Sequence, residues 1–283
     1  MKKLWLLYAD EDYAVNQDFG QLMRQRGQNH GLEIQPVCLS QLELGMTASG
    51  QPFCRLNGEN AKPNGVISRQ RNALISRHLE QMGVPVFNNS RVCALCNDKR
   101  RTCQFLQGLP MPETFFPLAG STPPPDFPVV VKPACSHGGD RVALAQNADQ
   151  WQAAMDAISP QPALWQQVVS QAGMDLRIYV VDGRIVTGVM RRARQGIVSN
   201  YKLGGMVHLH EPNAPERALA ERVIDRFDRA GAHLWFAGID LLYHCGQPVI
   251  GEVEDVVGSR MLYQCSRLDI ADMYLDAVSK TME

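Results

Sequence analysis

The stretch that decides the fold lies near the end of the chain and reads Gly238-Ile-Asp-Leu-Leu-Tyr-His-Cys-Gly-Gln-Pro-Val-Ile-Gly-Glu-Val-Glu-Asp255. Two apolar runs flank a short polar segment at 244–247, which is the pattern of two antiparallel strands joined by a tight turn. Three carboxylates, Asp240, Glu252 and Glu254, stand where the apolar runs would otherwise continue. The sequence therefore predicts a β-hairpin that carries acidic groups in apolar surroundings.

These carboxylates form a candidate metal site. Glu252 and Glu254 are two residues apart, so on a strand their side chains point to the same face. If the turn contains an odd number of residues, Asp240 lies opposite Glu252 on that face. Carboxylates this close repel each other unless a cation lies between them, and oxygen ligands suit Mg²⁺ first and Mn²⁺ second. The alternative interpretation is an acidic sheet face in solvent, without a metal.

The composition is that of a globular enzyme. The chain has 283 residues, 45% apolar and 20% charged, which is enough for a substantial core and about one to three domains. The formal net charge is −1 and no long basic run exists, so the overall charge gives no support for nucleic-acid binding. No apolar stretch reaches membrane-spanning length. Because no secretory signal is recognisable, we expect a cytoplasmic protein whose eight cysteines are reduced thiols.

The N-terminal third alternates between strand and helix patterns. Strands are predicted at 4–9, 32–37, 65–68 and 84–88, helices at 16–26 and 72–82, and a hairpin over 46–57 with Ser49-Gly50 at its turn. This alternation indicates an open α/β layer. No glycine-rich phosphate fingerprint follows the first strand, which argues against a dinucleotide-binding Rossmann fold. Ser90 is the expected N-cap of the next helix.

The remainder of the chain is predicted to be rich in strands. They are expected at 128–133, 142–145, 163–169, 176–181 and 184–190, with Asp182-Gly183 as a hairpin turn. Helices are expected from an N-cap at Asp149 through Ile158, from about 215 to 230, and from about 270 onward.

Two sites with basic side chains in this region could contact phosphate. Lys132 ends an apolar strand and precedes the small-residue loop 134–140, whose backbone N–H groups can approach phosphate oxygens closely. The second site is the basic segment Asn97-Asp-Lys-Arg-Arg101. Each alone is equally well explained by solvated charges, so neither identifies a function by itself.

The order of the motifs along the chain resembles the ATP-grasp ligases, specifically their RimK-like branch. The series is Asp98-Lys99, Val129-Val-Val-Lys-Pro133, a glycine loop, Trp165-Gln-Gln-Val-Val169, Asp175-Leu-Arg177, Arg191-Arg192, Ser199-Asn200 with Gly204-Gly205, Asp240, and Glu252-Val-Glu254. The resemblance extends over roughly residues 65–283. It implies an ATP-dependent carboxylate–amine ligase, in which ATP phosphorylates a carboxylate and an amine attacks the acyl phosphate. The products would be an amide, ADP and phosphate.

The resemblance also implies an architecture and a set of partners. We expect an α/β fold, with an N-terminal open α/β pre-ATP-grasp domain over 1–94 and a two-lobed ATP-grasp domain over 95–283. The smaller lobe, roughly 110–170, would be an antiparallel sheet that clamps ATP against a larger lobe over 171–283. The expected partners are a small-molecule or peptide carboxylate and an amine acceptor, with neither nucleic acid nor membrane. A homo-oligomer is compatible with the sequence.

Residue roles follow from the resemblance, position by position. It implies nucleotide contacts for Lys99, Lys132, Gly138, Gly139, Gln167, Val168, Asp175, Ser199 and Asn200. It implies that Arg191 or Arg192 steadies the transferred phosphoryl group, and that Asp240, Glu252 and Glu254 are the ligands of the Mg²⁺ that accompanies ATP.

The sequence departs from the family pattern at three places. Glu254 replaces the common asparagine, and the added charge is expected to tighten cation binding. Gln167 replaces a glutamate, and Val256-Val257-Gly258 replaces Ser-Pro-Gly. Near the N-terminus, Arg69 and Arg71 follow a strand end. We predict that Arg69 pairs with a substrate carboxylate, the alternative being an ordinary surface arginine.

Other interpretations stay open at the level of sequence. A kinase that stops after phosphoryl transfer to a small substrate, or a non-catalytic nucleotide sensor, would use the same fold. Cys93, Cys96 and Cys103 suggest a zinc or redox site, but no fourth ligand has suitable spacing, so packed thiols are the preferred interpretation. His208 and His210 could reach a ligand or simply share a strand face.

Overall fold

The computed structural model describes residues 1–118, 121–193 and 205–282, which form four β-sheets with helices packed on them. The strands are, in chain order, β1 (Lys2–Tyr8), β2 (Leu32–Cys38), β3 (Leu42–Met46), β4 (Pro52–Leu56), β5 (Glu59–Asn60), β6 (Gly65–Ser68), β7 (Val86–Phe87), β8 (Thr114–Phe115), β9 (Val129–Pro133), β10 (Ala143–Ala145), β11 (Ala163–Gln167), β12 (Met174–Val181), β13 (Arg184–Arg192), β14 (Met206–His210), β15 (Phe236–His244) and β16 (Gln247–Glu254). The helices are α1 (Asp10–Ala14), α2 (Gln17–Asn29), α3 (Ala73–Gln81), α4 (Ser90–Cys96), α5 (Lys99–Phe105), α6 (Ala148–Ile158), α7 (Ala214–Arg229), α8 (Arg260–Cys265) and α9 (Ile270–Thr281), and a 3-10 turn covers Leu39–Gln41.

The N-terminal sheet is parallel, with the strand order β2-β1-β6-β7. Its central strand β1 is apolar on both faces because both are covered. Leu4 and Leu6 belong to the same buried cluster as Met23 of α2, whereas Trp5 and Leu7 belong to the cluster of Leu79 of α3. The predicted open α/β layer is confirmed. The predicted hairpin turn at Ser49-Gly50 is also found, between β3 and β4.

Two predicted helix caps are wrong by one or two residues. The N-cap of α4 is Asn89, whose side-chain oxygen accepts from two backbone N–H groups, while the Ser90 hydroxyl donates to Glu80 at 2.6 Å. The N-cap of α6 is Asn147, which accepts from the backbone N–H of Gln150, and Asp149 lies in the first turn. In both cases an asparagine lies before the predicted residue and is an equally good cap.

The second sheet is small and antiparallel, in the order β10-β9-β11-β8. Helix α6 covers it, and Trp151 and Ile158 pack with Val129, Val131 and Trp165 in a core of their own. This is the small antiparallel sheet that the sequence predicted between 110 and 170. It presents the ends of β9 and β11, and the loop after β9, to the next sheet.

The third sheet is antiparallel and has the order β14-β13-β12-β15-β16. Its hairpin between β12 and β13 turns at Asp182-Gly183, where both residues have positive φ, as the sequence predicted. One face packs on α7, with Leu176, Ile178 and Phe227 in the core. The opposite face carries charged side chains toward one end and packs on α9 at the other.

The acidic hairpin differs from the sequence prediction in how it brings the carboxylates together. Its turn has an even number of residues, because His244 pairs with Gln247 across Cys245-Gly246. The pairing then shifts by one residue, since Leu241 pairs with Ile250 but Asp240 pairs with Glu252. Gly251 is the extra residue of a β-bulge. If the strands paired without this bulge, Asp240 would lie opposite Gly251 instead of Glu252. The side chain of Glu252 would then point to the other face of the sheet.

Asn88 attaches the N-terminal sheet to the hairpin. Its amide nitrogen donates to the carbonyls of Phe236 at 2.8 Å and Asp255 at 3.0 Å, and its oxygen accepts from the N–H of Trp235 at 2.7 Å. Phe87 and Tyr179 lie in the same buried cluster across this contact. The two ends of the acidic hairpin are therefore fixed relative to the parallel sheet. Among the described residues, no helix has both the length and the apolar composition needed to cross a lipid bilayer.

Replacement of the bulge residue, Gly251→Ala, is predicted to weaken Mg²⁺ binding. A Cβ at this position would lie 3.1 Å from the carbonyl oxygen of Asp240 and 3.0 Å from Cγ of Leu242, so the paired strands must move apart. We expect a loss of about 1–3 kcal/mol in the free energy of unfolding, which is typical of overpacking. We also expect a weaker Mg²⁺ affinity, measured by titration calorimetry.

The matched control is Gly246→Ala in the turn of the same hairpin. Gly246 has φ of +75° and open space around it, so alanine there costs about 1–2 kcal/mol of backbone strain without moving the carboxylates. A Mg²⁺ affinity that falls equally in both variants would mean that general loosening of the hairpin, rather than the bulge geometry, is responsible.

Candidate active site

A cavity of about 660 Å³ lies where the parallel sheet, the small sheet and the charged face of the third sheet meet. Most of the predicted site residues line it, namely Arg69, Lys99, Lys132, Gly138, Gly139, Gln167, Val168, Asp175, Arg191, Asp240, Glu252 and Glu254. Arg192 does not, because it follows Arg191 on the strand and its side chain is exposed on the other side. Ser199 and Asn200 lie outside the described residues.

The carboxylates of Asp240, Glu252 and Glu254 converge in this cavity. One oxygen from each lies within 4.8 Å of the others, close enough for a single cation to contact all three. Among the described residues, these three carboxylates are the one group of at least three acidic, histidine or cysteine side chains close enough to share a metal ion. The geometry is compatible with the predicted metal site.

Two buried arginines already neutralise part of this charge. Arg177 lies directly opposite Asp240 in the sheet and binds it through two parallel hydrogen bonds, Nε to Oδ1 at 2.7 Å and Nη2 to Oδ2 at 2.6 Å. The same Nη2 lies 2.6 Å from Oε1 of Glu254. Arg191 donates to Asp240 at 2.6 Å and also pairs with Asp175. Repulsion between the carboxylates is therefore weaker than the sequence alone suggests.

The guanidinium groups also fix the protonation state of Asp240. Burial by itself would raise the pKa of this carboxyl, but Arg177 and Arg191 outweigh it and lower the pKa to about 2. Asp240 is thus a carboxylate at any physiological pH. The partners of Arg177 were not apparent from the sequence, which shows only that it belongs to the segment Asp175-Leu-Arg177.

Two lysines lie on the other side of the carboxylates. Lys99, at the start of α5, has its ammonium 3.0 Å from Oε1 of Glu252 and also donates to the carbonyl of Ser136 in the loop after β9. Lys132, the last residue but one of β9, lines the cavity as well. Burial lowers the pKa of the Lys132 ammonium and Lys99 adds to this effect, whereas Glu252 opposes it. A phosphate group entering between the lysines would relieve their mutual repulsion.

The loop after β9 has the backbone that a phosphate cradle needs. Gly138 and Gly139 have φ of +67° and +78°, which glycine adopts without steric cost. Both line the cavity, as does Ser136. Successive backbone N–H groups in such a conformation can surround an anion.

The cavity wall beside the end of β11 combines amide and apolar side chains. Gln167, Val168 and Val169 line it, and the neighbouring Gln166 is held by a 2.7 Å hydrogen bond to Thr114. Apolar side chains next to amide and peptide groups suit a flat heterocycle with hydrogen-bonding edges. The predicted nucleotide contacts of Gln167 and Val168 are compatible with this position.

The sequence does not single out Asp255 as a member of the site. It is buried, and both of its oxygens accept from the side-chain amide of Asn97, at 3.0 and 3.1 Å. Burial raises the pKa of this carboxyl to about 7, with the Asn97 hydrogen bonds and nearby arginines opposing the rise. The absence of Ser-Pro-Gly after the hairpin was the available signal, because Asp255 immediately precedes the segment that replaces it, Val256-Val257-Gly258.

The cysteine and histidine alternatives find no support in the described part of the chain. Cys93 and Cys96 lie on α4 and their side chains are buried. Burial raises the pKa of both thiols, so they are poor nucleophiles and poor metal ligands. Cys103 does not join them in a metal-binding group among the described residues. His210 bonds to Glu216 at 2.7 Å, and His208 is exposed on β14.

Known proteins resemble this chain over nearly its whole length. A "Beta-citrylglutamate synthase B" from Danio rerio is 26% identical over 305 aligned residues, covering 98% of this chain and 73% of the relative. A "Probable alpha-L-glutamate ligase" from Vibrio vulnificus (strain YJ016) is 26% identical over 282 aligned residues, covering 91% of this chain and 90% of the relative.

Solved structures share the fold at low sequence identity. D-cycloserine synthetase DcsG superposes with a TM-score of 0.75 at 16% identity, covering 99% of this chain and all of that one. D-alanine–D-alanine ligase from Bacillus anthracis, solved with ATP, gives 0.69 at 15% identity and covers 99% and 94%. The model of the RimK-like ATP-grasp domain matches residues 124–278, more than half of the chain. The chain therefore belongs to the RimK-like ATP-grasp family.

Proposed function

We propose that the cavity activates a substrate carboxylate with ATP and joins it to an amine. The protein is an ATP-dependent ligase that forms a carbon–nitrogen bond, with an acyl phosphate as the intermediate and ADP and phosphate as products. The observation that supports this most directly is that lysines, a glycine loop and three carboxylates, which are far apart in sequence, line one cavity.

The chemistry requires positioning and charge neutralisation more than covalent help from the protein. Lys99, Lys132 and the loop through Gly138 would hold the ATP phosphates. Arg191 lies beside Asp240 at 2.6 Å, close to the carboxylate cluster, and would stabilise charge on the transferred phosphoryl group. Arg192 points away from the cavity, so we assign the role to Arg191.

Mg²⁺ is the cation we propose for Asp240, Glu252 and Glu254. It prefers oxygen ligands in octahedral geometry and keeps waters or phosphate oxygens at positions that the protein does not fill. Bound there, the metal would neutralise the phosphates of ATP during transfer. Mn²⁺ accepts the same ligands and is the second choice.

The names of the relatives suggest amino acids as substrates. The V. vulnificus relative is named a glutamate ligase and the D. rerio relative a synthase of a glutamate conjugate. We propose an amino acid or short peptide as one substrate, and L-glutamate as the first amine to test. We further propose that residues 1–94 form the pre-ATP-grasp α/β domain, that 95–283 form the ATP-grasp domain, and that the enzyme acts in the cytoplasm.

A screen for ADP release tests the function. Pairs of carboxylic acids and amino acids are incubated with Mg²⁺ and ATP, and the products are identified by mass spectrometry. The expected result is ADP release that requires both partners and yields an amide. A phosphorylated product without an amide would indicate a kinase, and nucleotide binding without turnover for every pair would indicate a sensor.

Replacement of Lys132 by alanine is predicted to weaken ATP binding. It removes a charge-assisted contact to phosphate, worth about 1.5–3 kcal/mol, which corresponds to about a 10- to 100-fold loss of affinity. Calorimetry with a non-hydrolysable ATP analogue measures the change. The control is Lys280→Ala, a lysine exposed on α9, and equal affinities in the two variants would remove Lys132 from the site.

Glu252→Gln is predicted to be more damaging than Glu254→Asn. Glu252 lies opposite Asp240 in the sheet and two residues from Glu254, so it adjoins both other carboxylates. At the position of Glu254, by contrast, the family commonly has asparagine. We expect ADP formation to fall on the order of 100-fold for Glu252→Gln and about 10-fold or less for Glu254→Asn. The exposed Glu43→Gln serves as a control, and full activity of Glu252→Gln at limiting Mg²⁺ would contradict the metal site.

A further inference from the structure

The active-site cavity also reaches the carboxyl ends of two neighbouring strands of the parallel sheet, β1 and β6. The chain leaves these strands toward opposite faces of the sheet. Helix α2, which follows β1, packs on the face of Leu4, whereas α3, which follows β6, packs on the face of Leu7. Connections that diverge in this way open a crevice between the two strand ends, and open α/β sheets bind their ligands in such crevices.

An ion pair lines the cavity at this crevice. Asp12 belongs to the segment after β1 and Arg71 to the segment after β6, and Nη1 of the arginine donates to Oδ2 of the aspartate. Both side chains are partly exposed, 18% of Asp12 and 27% of Arg71. The pair is therefore part of the cavity wall and is not enclosed in the core.

The remaining polar atoms of this pair are open to a ligand. Oδ1 of Asp12, and Nε and Nη2 of Arg71, make no hydrogen bond with any residue that the structure describes. These three atoms are also absent from the enclosed side-chain atoms that lack a partner, so they are accessible. The pair thus offers one acceptor and two donors to a molecule in the cavity.

Arg71 is better suited to bind a ligand than Arg69, the other arginine that follows β6. Arg69 donates through Nη1 to the carbonyl of Val257 at 3.0 Å, its Nε is enclosed, and only 5% of the residue is exposed. Arg69 therefore joins the strand end to the segment that follows the acidic hairpin. This contact brings the crevice next to the carboxylate cluster.

The segment that carries Asp12 is fixed by its neighbours. The side chain of Asn16 donates to the backbone carbonyl of Asp12 at 2.7 Å and accepts from Arg260 at 3.1 Å. Arg260, the first residue of α8, also donates to the carbonyl of Val15 at 2.6 Å. The aspartate is thus held in position before a ligand arrives, which reduces the entropy cost of binding.

The charges of the pair complement those of a free α-amino acid. Such a molecule carries an ammonium and a carboxylate on the same carbon, side by side, with no net charge on the two groups. Asp12 and Arg71 present an accessible carboxylate oxygen and accessible guanidinium N–H groups in the same side-by-side arrangement. A ligand without the ammonium leaves Asp12 unmatched, and a ligand without the carboxylate leaves Arg71 unmatched, so both should bind less tightly.

We propose that Asp12 and Arg71 bind the free α-amino acid that supplies the amine. Oδ1 of Asp12 would accept a hydrogen bond from the ammonium, and Nε or Nη2 of Arg71 would donate to the carboxylate. A carboxylate paired with Arg71 is not the one that ATP phosphorylates, so the pair belongs to the amine-bearing substrate. This inference rests on the proposed ligase function and narrows that substrate to an amino acid with a free α-carboxylate.

The test uses amino acids and analogues that lack one of the two charged groups. The enzyme, saturated with Mg²⁺ and a non-hydrolysable ATP analogue, is titrated by calorimetry with each of the standard L-amino acids, beginning with L-glutamate. The best ligand is then compared with its α-carboxamide, which lacks the carboxylate, and with its desamino acid, which lacks the ammonium. We expect the amino acid to bind about 10-fold or more tightly than either analogue.

Each variant is expected to abolish one preference and keep the other. Asp12→Asn should lose the preference for the amino acid over its desamino acid and keep that over the α-carboxamide, and Arg71→Met should do the reverse. The matched control is Arg26→Met, which breaks a partly exposed ion pair with Asp269 outside the cavity wall and should keep both preferences. Affinity for the ATP analogue should stay within about threefold in all variants, because the nucleotide contacts are separate.

Three results would overturn the assignment. In the first, no standard amino acid binds, or the best one binds no more tightly than its analogues. In the second, folded Asp12→Asn keeps both preferences or loses both equally, which would mean that the ion pair only supports the fold. This result is decisive even if Arg71→Met does not fold. In the third, mass spectrometry of the product shows that the amino acid reacted through its α-carboxylate.

The titrations do not depend on turnover, so the two proposals can fail separately. An enzyme that binds an amino acid with both expected preferences but never releases ADP would contradict the ligase and leave the amino-acid site standing. An enzyme that releases ADP and forms an amide only with amines that lack an α-carboxylate would confirm the ligase and overturn the amino-acid site.

Discussion

The buried guanidinium of Arg177 is the group on which the active-site face of this protein depends. It binds Asp240 through two hydrogen bonds and Glu254 through a third, and so joins β12, β15 and β16. Buried charges are costly unless they are paired and hydrogen-bonded, and here each member of the network satisfies another. ATP and its metal would therefore meet charges that are already in position, which reduces the reorganisation needed during the reaction.

Because of this network, the three carboxylates of the acidic cluster are not equally able to bind a cation. Arg177 and Arg191 occupy both oxygens of Asp240, and Arg177 occupies one oxygen of Glu254. Glu252, by contrast, contacts Lys99 at a single oxygen among the described residues. Since each carboxylate oxygen has two lone pairs, all three residues can still bind a cation, but Glu252 has the most to offer. The ammonium group of Lys99 can in turn leave Glu252 and pair with a bound phosphate.

The N-terminal sheet contributes more than support. Asn88 bonds to the backbone at both ends of the hairpin, and Arg69 bonds to the carbonyl of Val257 just beyond it. These contacts place the strand ends of the parallel sheet against the acidic cluster and make one continuous cavity. The lysines, the glycine loop and the strand ends of the parallel sheet thereby line the same cavity. A ligase that must bring an activated carboxylate to an amine needs both groups within one enclosed volume.

The sequence by itself determined most of the elements, their order and the types of residue that reach the site; it did not indicate the short elements α1, β8 and α8. Local periodicity predicts most of the strands and helices, and the ordered series of motifs from Asp98-Lys99 to Glu252-Val-Glu254 indicates the family. Only the tertiary structure decided how these groups meet. The bulge at Gly251 shifts the register by one residue and leaves no periodic signal. The contacts Arg177–Asp240 and Asn97–Asp255 depend on which elements become neighbours, which is a long-range property that no local pattern encodes.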